Sequence, residues 1–380
     1  MTTYAFDMYF AEFKHSATWA RMMATVENSP WHREANVGVH TEMSMHQYKS
    51  RFSAFRTDIQ NMIALMALLY HDTGKPAAEE VKEKKDGSGD VYRSYAGHEQ
   101  DSAVEFMEHY VRSPQLRKLL TLQQARVVRW IIEHHLPYGL KDVTKRRALR
   151  TAMVNTMGEA EETFYDCLRS DAAGRISDDH EQKLANVEAW ITEFKTVEVL
   201  TPKVTSEQAM FMLIGPSGSG KTTWVDGRKD VSKDVIVSYD AMKLAFYATK
   251  NPDAKFESEV ARYETAWAFA NENEKDFKVF FAASLTNAVG YVLSTKGNLF
   301  IDTVNASKKK RAMFIELARK HGMKVVAVEF WNTLETLHGR QATRGDKAVP
   351  YTSIKQQQYA TTCAWLGYEC EDVMMVVGAK

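Results

Sequence analysis

Cysteine is scarce: the chain has three in 380 residues, Cys167, Cys363 and Cys370, an odd number with no metal-like spacing. That excludes a disulfide framework and a thiolate metal cluster, and it fits a reduced, cytoplasmic interior. Net charge is also lacking, with 49 basic residues balanced by 49 acidic ones. Residues 1–205 hold 26 basic against 29 acidic groups, and residues 206–380 hold 23 against 20. Neither half has the basic excess of an avid duplex-DNA binder, although gripping one strand end through a few phosphates needs no such excess. No apolar run approaches the roughly 20 residues that span a bilayer, so no membrane partner is expected. The opening Met-Thr-Thr-Tyr-Ala-Phe-Asp has no basic or apolar leader region, so no secretory signal is expected. Internal repeats and low-complexity tracts are absent too.

What remains is an ordinary globular composition, 44% hydrophobic and 26% charged, in a chain long enough for two domains with separate cores. Residues 1–195 read as mainly helical. The clearest period lies in Thr57 to Tyr70, where Ile59, Met62, Ile63, Met66, Leu69 and Tyr70 share a face. Gly74 is expected to end that helix, and Pro76 bars its continuation. Lys82 to Tyr95, with Asp86-Gly87-Ser88-Gly89, reads as an exposed turn or hairpin. Helical patterns resume over Glu99 to His135 and Lys145 to Lys195. Thr196 to Gln208, containing Pro202, reads as a linker. Beyond it, apolar runs at 209–214, 235–238, 298–301 and 324–330 alternate with helical segments. That alternation implies right-handed crossovers and a parallel sheet. The predicted fold class is therefore an all-α domain over 1–195 followed by an α/β domain over 209–380.

The strongest local signal is Gly215-Pro-Ser217-Gly218-Ser219-Gly220-Lys221-Thr222, preceded by the apolar run Ala209 to Ile214 and followed by a helix start at Thr222-Thr223. This is a complete phosphate-binding loop in its strand–loop–helix setting. Its glycines let backbone N–H groups converge on phosphate oxygens at a helix N-terminus. Lys221 is placed to reach the β/γ-phosphates of ATP or another nucleoside triphosphate, and the Thr222 hydroxyl to meet Mg²⁺.

Three clusters follow. Asp240, after the run Val235-Ile236-Val237-Ser238, lies at the carboxyl end of a strand, where a base could accept a hydroxyl proton. Taken alone, it is equally a helix cap. Asp302 ends Asn298-Leu299-Phe300-Ile301, the position from which a carboxylate orients Mg²⁺, or simply closes a strand. Arg340 and Arg344, four apart and followed by Val349-Pro350, could close over phosphates from one helix face. A solvated basic face is the alternative. These clusters together, Ser238-Tyr239-Asp240-Ala241-Met242-Lys243, Asp302-Thr303-Val304-Asn305 and Arg340/Arg344, resemble the polynucleotide 5′-kinase family over about 170 residues. The resemblance implies a general base at Asp240 and a phosphate contact at Lys243, where the family usually has Arg; Lys keeps the charge but loses the bidentate fork. Lys308-Lys309-Lys310-Arg311 is either a nucleic-acid contact or a solvated helix start.

A second signal precedes the linker. His71-Asp72 ends the apolar helix in Leu69-Tyr70-His71-Asp72-Thr73-Gly74-Lys75, and His40, His98, the His134/His135 pair and Asp171 lie around it in sequence. This order resembles the HD phosphohydrolase superfamily, all-helical metal-dependent hydrolases of phosphate esters. The resemblance implies a first metal on His40, His71, Asp72 and Asp171. It places His98 and one of His134/His135, with His134 preferred, on a second metal or the substrate phosphate. His46 and Asp166 are the alternatives to His40 and Asp171. Such N/O donors suit one or two divalent transition metals without selecting one. Lys75 and the basic segment Lys141, Lys145, Arg146, Arg147 and Arg150 are candidates to hold an anionic substrate. Lys84-Lys85-Asp86-Gly87 matches a short nucleotidyl-ligase pattern but lacks that pattern's other elements, and it reads as a solvated turn.

Both halves together resemble fused HD-Pnk end-healing enzymes. The arrangement implies RNA or DNA ends as substrate, a 5′-hydroxyl phosphorylated by one half, a 3′-terminal phosphate or 2′,3′-cyclic phosphate removed by the other, and a separate ligase as partner. An HD nucleotidase fused to a small-metabolite kinase is the competing expectation, since fold does not settle substrate. A ligand sensor without turnover is a third.

Overall fold

The structure, a computed structural model, describes residues 2–27, 33–83, 89, 91–201, 203–345 and 348–378. It divides into two units, Met1–Leu200 and Thr201–Lys380. The first unit is helical: α1 (Thr2–Phe13), α2 (Ala17–Ala24), α3 (Val37–Arg51), α4 (Asp58–Tyr70), α5 (Lys75–Ala78), a hairpin of β1 (Glu80–Glu83) and β2 (Val91–Ser94), then α6 (His98–Arg112), α7 (Pro114–Leu119), α8 (Leu122–Glu133), α9 (Val143–Met157), α10 (Glu161–Ala173) and α11 (His180–Lys195). The hairpin strands flank the expected turn; residues 84–88, including the Lys84-Lys85-Asp86-Gly87 pattern, lie outside the described residues.

Helix α4 is the axis of this unit. A capping box between Thr57 and Gln60 fixes its start. It packs against α1, α3, α6, α8 and α10. The expected single apolar face is corrected here: Asn61 to Tyr70 are buried all round, whereas Ile59 in the first turn is 56% exposed. A helix surrounded by others is apolar on every side. Its end delivers His71 and Asp72 to the middle of the unit.

The second unit is α/β. Its elements are β3 (Ala209–Ile214), α12 (Lys221–Asp226), β4 (Val235–Ser238), α13 (Tyr239–Lys250), α14 (Glu259–Glu272), α15 (Glu274–Thr295), β5 (Leu299–Asp302), α16 (Lys308–Lys320), β6 (Lys324–Trp331), α17 (Leu334–Ala342), α18 (Tyr351–Tyr359) and β7 (Asp372–Val377). The sheet is parallel, in the order β4-β5-β3-β6-β7. Side chains alternate across it: Met210, Met212 and Ile214 pack on one face with Phe281 and Leu285, and Leu213 packs on the other with Trp224, Phe300 and Phe330. Strand β7 was not anticipated, because this edge strand keeps only part of its apolar surface covered.

Helix α15 corrects the expectation that no run nears membrane length: its 22 residues reach a mean hydropathy of 1.3 over the best window, enough by length and composition alone. Its buried side chains, Phe277, Phe281, Leu285, Ala288, Val289 and Val292, recur at helical spacing and face the sheet core.

Candidate functional site

In the second unit, the phosphate loop joins β3 to α12 at the carboxyl end of the sheet. Gly218 and Gly220 take left-handed conformations, φ 84° and 96°, which other residues adopt only at a cost. Neighbours pin the loop: Gly215 N–H donates to the Val304 carbonyl, Ser217 N–H to Gln357 Oε1, and Asn332 Nδ2 to the Ser219 carbonyl. Lys221 is buried and donates to the Gly215 and Pro216 carbonyls, each at 2.8 Å. Burial pushes its pKa down to about 8; Asp302 and Asp240 oppose this, and Arg344 adds to it. Thr222 Oγ1 donates to Asp302 Oδ2 at 2.7 Å, which joins the loop to the end of β5. Thr223 follows it, exposed in the first turn of α12.

Ser238 and Asp302 pair in register at the ends of β4 and β5. Asp240 is exposed in the first turn of α13, whose N-cap position belongs to Ser238, so the cap alternative for Asp240 falls away. Arg340 Nη1 donates to the Gly218 carbonyl at 3.0 Å and lies against the loop. Burial lowers its pKa from the usual guanidinium value. Arg344 departs from the expected shared helix face: α17 stops at Ala342, and Arg344 lies on the following turn, its N–H donating to the Gln341 carbonyl. Lys243 is buried, its ammonium 2.9 Å from the centre of the Trp267 ring and 3.3 Å from Asn271 Oδ1. Arg311 is buried in a bidentate pair with Glu369, which removes it from the expected basic surface run.

In the first unit, four histidines and two aspartates converge. His71 and Asp72 follow α4, His40 comes from α3, His98 opens α6, His135 follows α8 and Asp171 lies in α10. All six are buried. The second nitrogen of each ring fixes its role. His40 Nδ1 faces the Gly174 carbonyl at 3.2 Å, His71 Nδ1 the Leu68 carbonyl at 2.7 Å, His98 Nδ1 the Tyr95 carbonyl at 2.7 Å and His135 Nδ1 the Ile132 carbonyl at 2.8 Å. A carbonyl only accepts, so each Nδ1 donates and each Nε2 is turned toward the cluster. His40 and His71 Nε2 are 3.3 Å apart, as are His98 and His135 Nε2. Two lone pairs in such contact require a shared cation, a proton or a metal ion. Asp72 stands between the pairs: Oδ2 is 3.2 Å from His71 Nε2 and Oδ1 is 3.0 Å from His98 Nε2. Asp171 Oδ1 is 2.9 Å from His40 Nε2.

The donors form two overlapping groups, His40/His71/Asp72 and Asp72/His98/His135, each compact enough for one ion. Buried N/O donors oriented by carbonyls through their far nitrogens fit a divalent metal. Charges respond accordingly. Burial disfavours the His71 cation, but Asp72 and Asp171 outweigh it and push the pKa up to about 10. Burial, with His71 and His98, pushes His135 down to about 3. Asp72 is held well below the carboxylate range: burial opposes this, but His71 and Lys75 prevail. Arg175 does the same for Asp171, bonding its Oδ2 at 2.7 Å.

The structure changes several expectations. His135 enters the cluster, while the preferred His134 stacks on Trp130 at 4.3 Å between ring centres. His46 is exposed, and Asp166 pairs with Arg56 at 2.6 Å, so neither competes. Lys75 is buried between Glu27 Oε1 at 2.7 Å and Asp72 Oδ2 at 2.8 Å, and so is already paired with two carboxylates. Arg146, Arg147 and Arg150 pair with Glu193, Glu198 and Glu161. Glu27, Arg175 and the loop supports Asn332, Gln341 and Gln357 were invisible in sequence, since their meaning comes only from contacts between distant segments.

Residues 210–363 match a family model described as an AAA domain. A gluconokinase from Sinorhizobium meliloti 1021 is similar in structure at 12% identity, with 46% of this chain and 86% of that chain covered and a TM-score of 0.28. No curated protein sequence matches the chain. With its loop, its Thr222–Asp302 bond and its parallel sheet, the second unit is a P-loop domain of the kinase type.

Proposed function

We propose that this chain heals nucleic-acid ends, RNA by preference, phosphorylating 5′-hydroxyls in the second unit and hydrolysing 3′-terminal phosphates or 2′,3′-cyclic phosphates in the first. The observation that carries the kinase half is the placement of Asp240 and Lys243 one turn apart on the helix that follows β4, with the Asp240 carboxylate close enough to Lys221 of the phosphate loop to act on its charge. Asp240 takes the proton of the 5′-hydroxyl as its oxygen attacks the γ-phosphorus of ATP and ADP departs. Lys221, with Arg340 and Arg344, offsets the charge on the transferring group. Mg²⁺ would be held by Thr222 and Asp302.

In the first unit, His40, His71, Asp72, Asp171, His98 and His135 would hold one or two divalent metals, which supply water activation and phosphate charge neutralisation. The chain's own groups fix that chemistry in place: the carbonyls orient the four rings, and Lys75 with Glu27 orients Asp72.

The test is transfer of labelled γ-phosphate to a 5′-hydroxyl oligonucleotide, compared with nucleosides and sugar acids. Transfer to the strand alone, lost by 10²–10⁴-fold in Asp240→Asn, is the expected outcome. Transfer only to a small metabolite would replace the polynucleotide substrate with that metabolite.

A further inference from the structure

The hairpin of α13 and α14 holds a buried cation without an anion. Lys243 is 6% exposed, and among the described residues no carboxylate oxygen lies within 4.0 Å of its ammonium. Its partners are neutral: the face of Trp267 at 2.9 Å and the Asn271 amide oxygen at 3.3 Å. Burial holds its pKa down to about 8, with Asp240 acting in the opposite sense. A buried charge without a partner is costly. Lys221 has the same character: it is buried, bonded only to carbonyls, and awaits the phosphates of ATP.

Trp267 differs from an ordinary packed indole, since it is 44% exposed beside that cation. On α14, Tyr263, Trp267 and Asn271 recur every four residues, so they lie along one face. On α13, Asp240 and Lys243 are three apart and Tyr247 follows four later. A cavity of about 450 Å³, lined by Leu244, Tyr247, Asn251, Phe256, Ser258 and Arg262 among others, opens one turn beyond Lys243. Exposed aromatic surface beside a phosphate-seeking cation is the composition of a single-strand site, where bases stack on rings and backbone phosphates meet cations.

We propose that Trp267 is the stacking platform of the acceptor strand, holding a base of the first two nucleotides while Lys243 neutralises the phosphate between them. This rests on the polynucleotide reading of the kinase half and adds its strand-binding residue. Asp240 meets the 5′-hydroxyl, Lys243 the next phosphate, Trp267 a neighbouring base, and the cavity the continuing strand.

The test uses the full chain with RNA and DNA oligonucleotides bearing 5′-hydroxyls, either intact or abasic at the first or second nucleotide. Binding is read by anisotropy without ATP, and phosphate transfer by steady-state kinetics. Trp267→Ala is expected to raise the KM for intact strand by about 5- to 100-fold, with kcat and the KM for ATP unchanged. Trp267→Phe should restore most of the loss. With the abasic strand, wild type and Trp267→Ala should coincide. Strand phosphorylation with equal KM in both proteins would overturn the platform and leave the kinase reading standing. Trp267-dependent strand binding without phosphate transfer would support the platform and overturn that reading. Absence of both binding and transfer would overturn both.

Discussion

A single ring orientation separates the two adjacent histidines at the end of α8. His135 Nε2 faces His98, whereas His134 stacks on Trp130. His135→Ala is therefore expected to abolish 3′-end hydrolysis and to strip divalent metal from the purified protein, read by elemental analysis, while His134→Ala retains both. Glu27 acts one contact further out, through Lys75 on Asp72. Glu27→Gln should weaken metal affinity about 10- to 100-fold, the usual size of such supporting contacts, without changing strand phosphorylation. His109, outside the cluster, sets an acid limit. It is half-buried, with Nδ1 2.9 Å from the Tyr70 hydroxyl oxygen. Burial first, then Arg112 and Arg21, push its pKa down to about 4. A depressed base binds fewer protons folded than unfolded, so its contribution is complete above the unfolded value of about 6.5 and is lost as pH falls from there toward 4. The loss is at most about 3 kcal/mol. Urea titrations across that range should show a slope that His109→Gln flattens.

At the scale of elements, the phosphate loop and α4 carry the account. Gly218 has φ 84°, and a Cβ there would stand 2.5 Å from Gln341 Nε2. Gly218→Ala should thus weaken ATP binding by about 1–2 kcal/mol in calorimetry, because either the loop or the Gln341 brace must shift. Leu68→Ala in buried α4 should cost about 2–5 kcal/mol of unfolding free energy. Strands β3 and β4 were legible because an isolated apolar run before a glycine-rich loop or an aspartate has few other readings. Ile59 misled the reading of α4 because periodicity identifies a face only when the helix has a wet side. Arg344 was misread because spacing alone does not reveal where a helix stops. The convergence of His40, His71, Asp72, His98 and Asp171 into one buried cluster followed the order read in the sequence, whereas the choice within His134/His135 did not, because neighbouring residues differ only in the ring each one meets. Glu27, Trp267 and Gln341 were not legible, since their significance is a distance to a partner far along the chain.

At the scale of the whole molecule, the chain places a cluster suited to divalent metals and a triphosphate-binding loop in separate units, Met1–Leu200 and Thr201–Lys380. Two chemistries with no shared residue should separate by mutation. Lys221→Ala should abolish 5′-phosphorylation and spare 3′-end hydrolysis, and Asp72→Ala should do the reverse, each in a protein whose circular dichroism matches wild type. The central claim is that one chain converts both kinds of broken end. Its most direct measurement is mass spectrometry of an RNA carrying a 5′-hydroxyl and a 2′,3′-cyclic phosphate, incubated with the full chain, ATP, Mg²⁺ and, in turn, Mn²⁺, Ni²⁺, Co²⁺, Fe²⁺ or Zn²⁺. The expected product carries a 5′-phosphate and a 3′-terminal hydroxyl. Recovery of both ends unchanged under every metal would contradict the account.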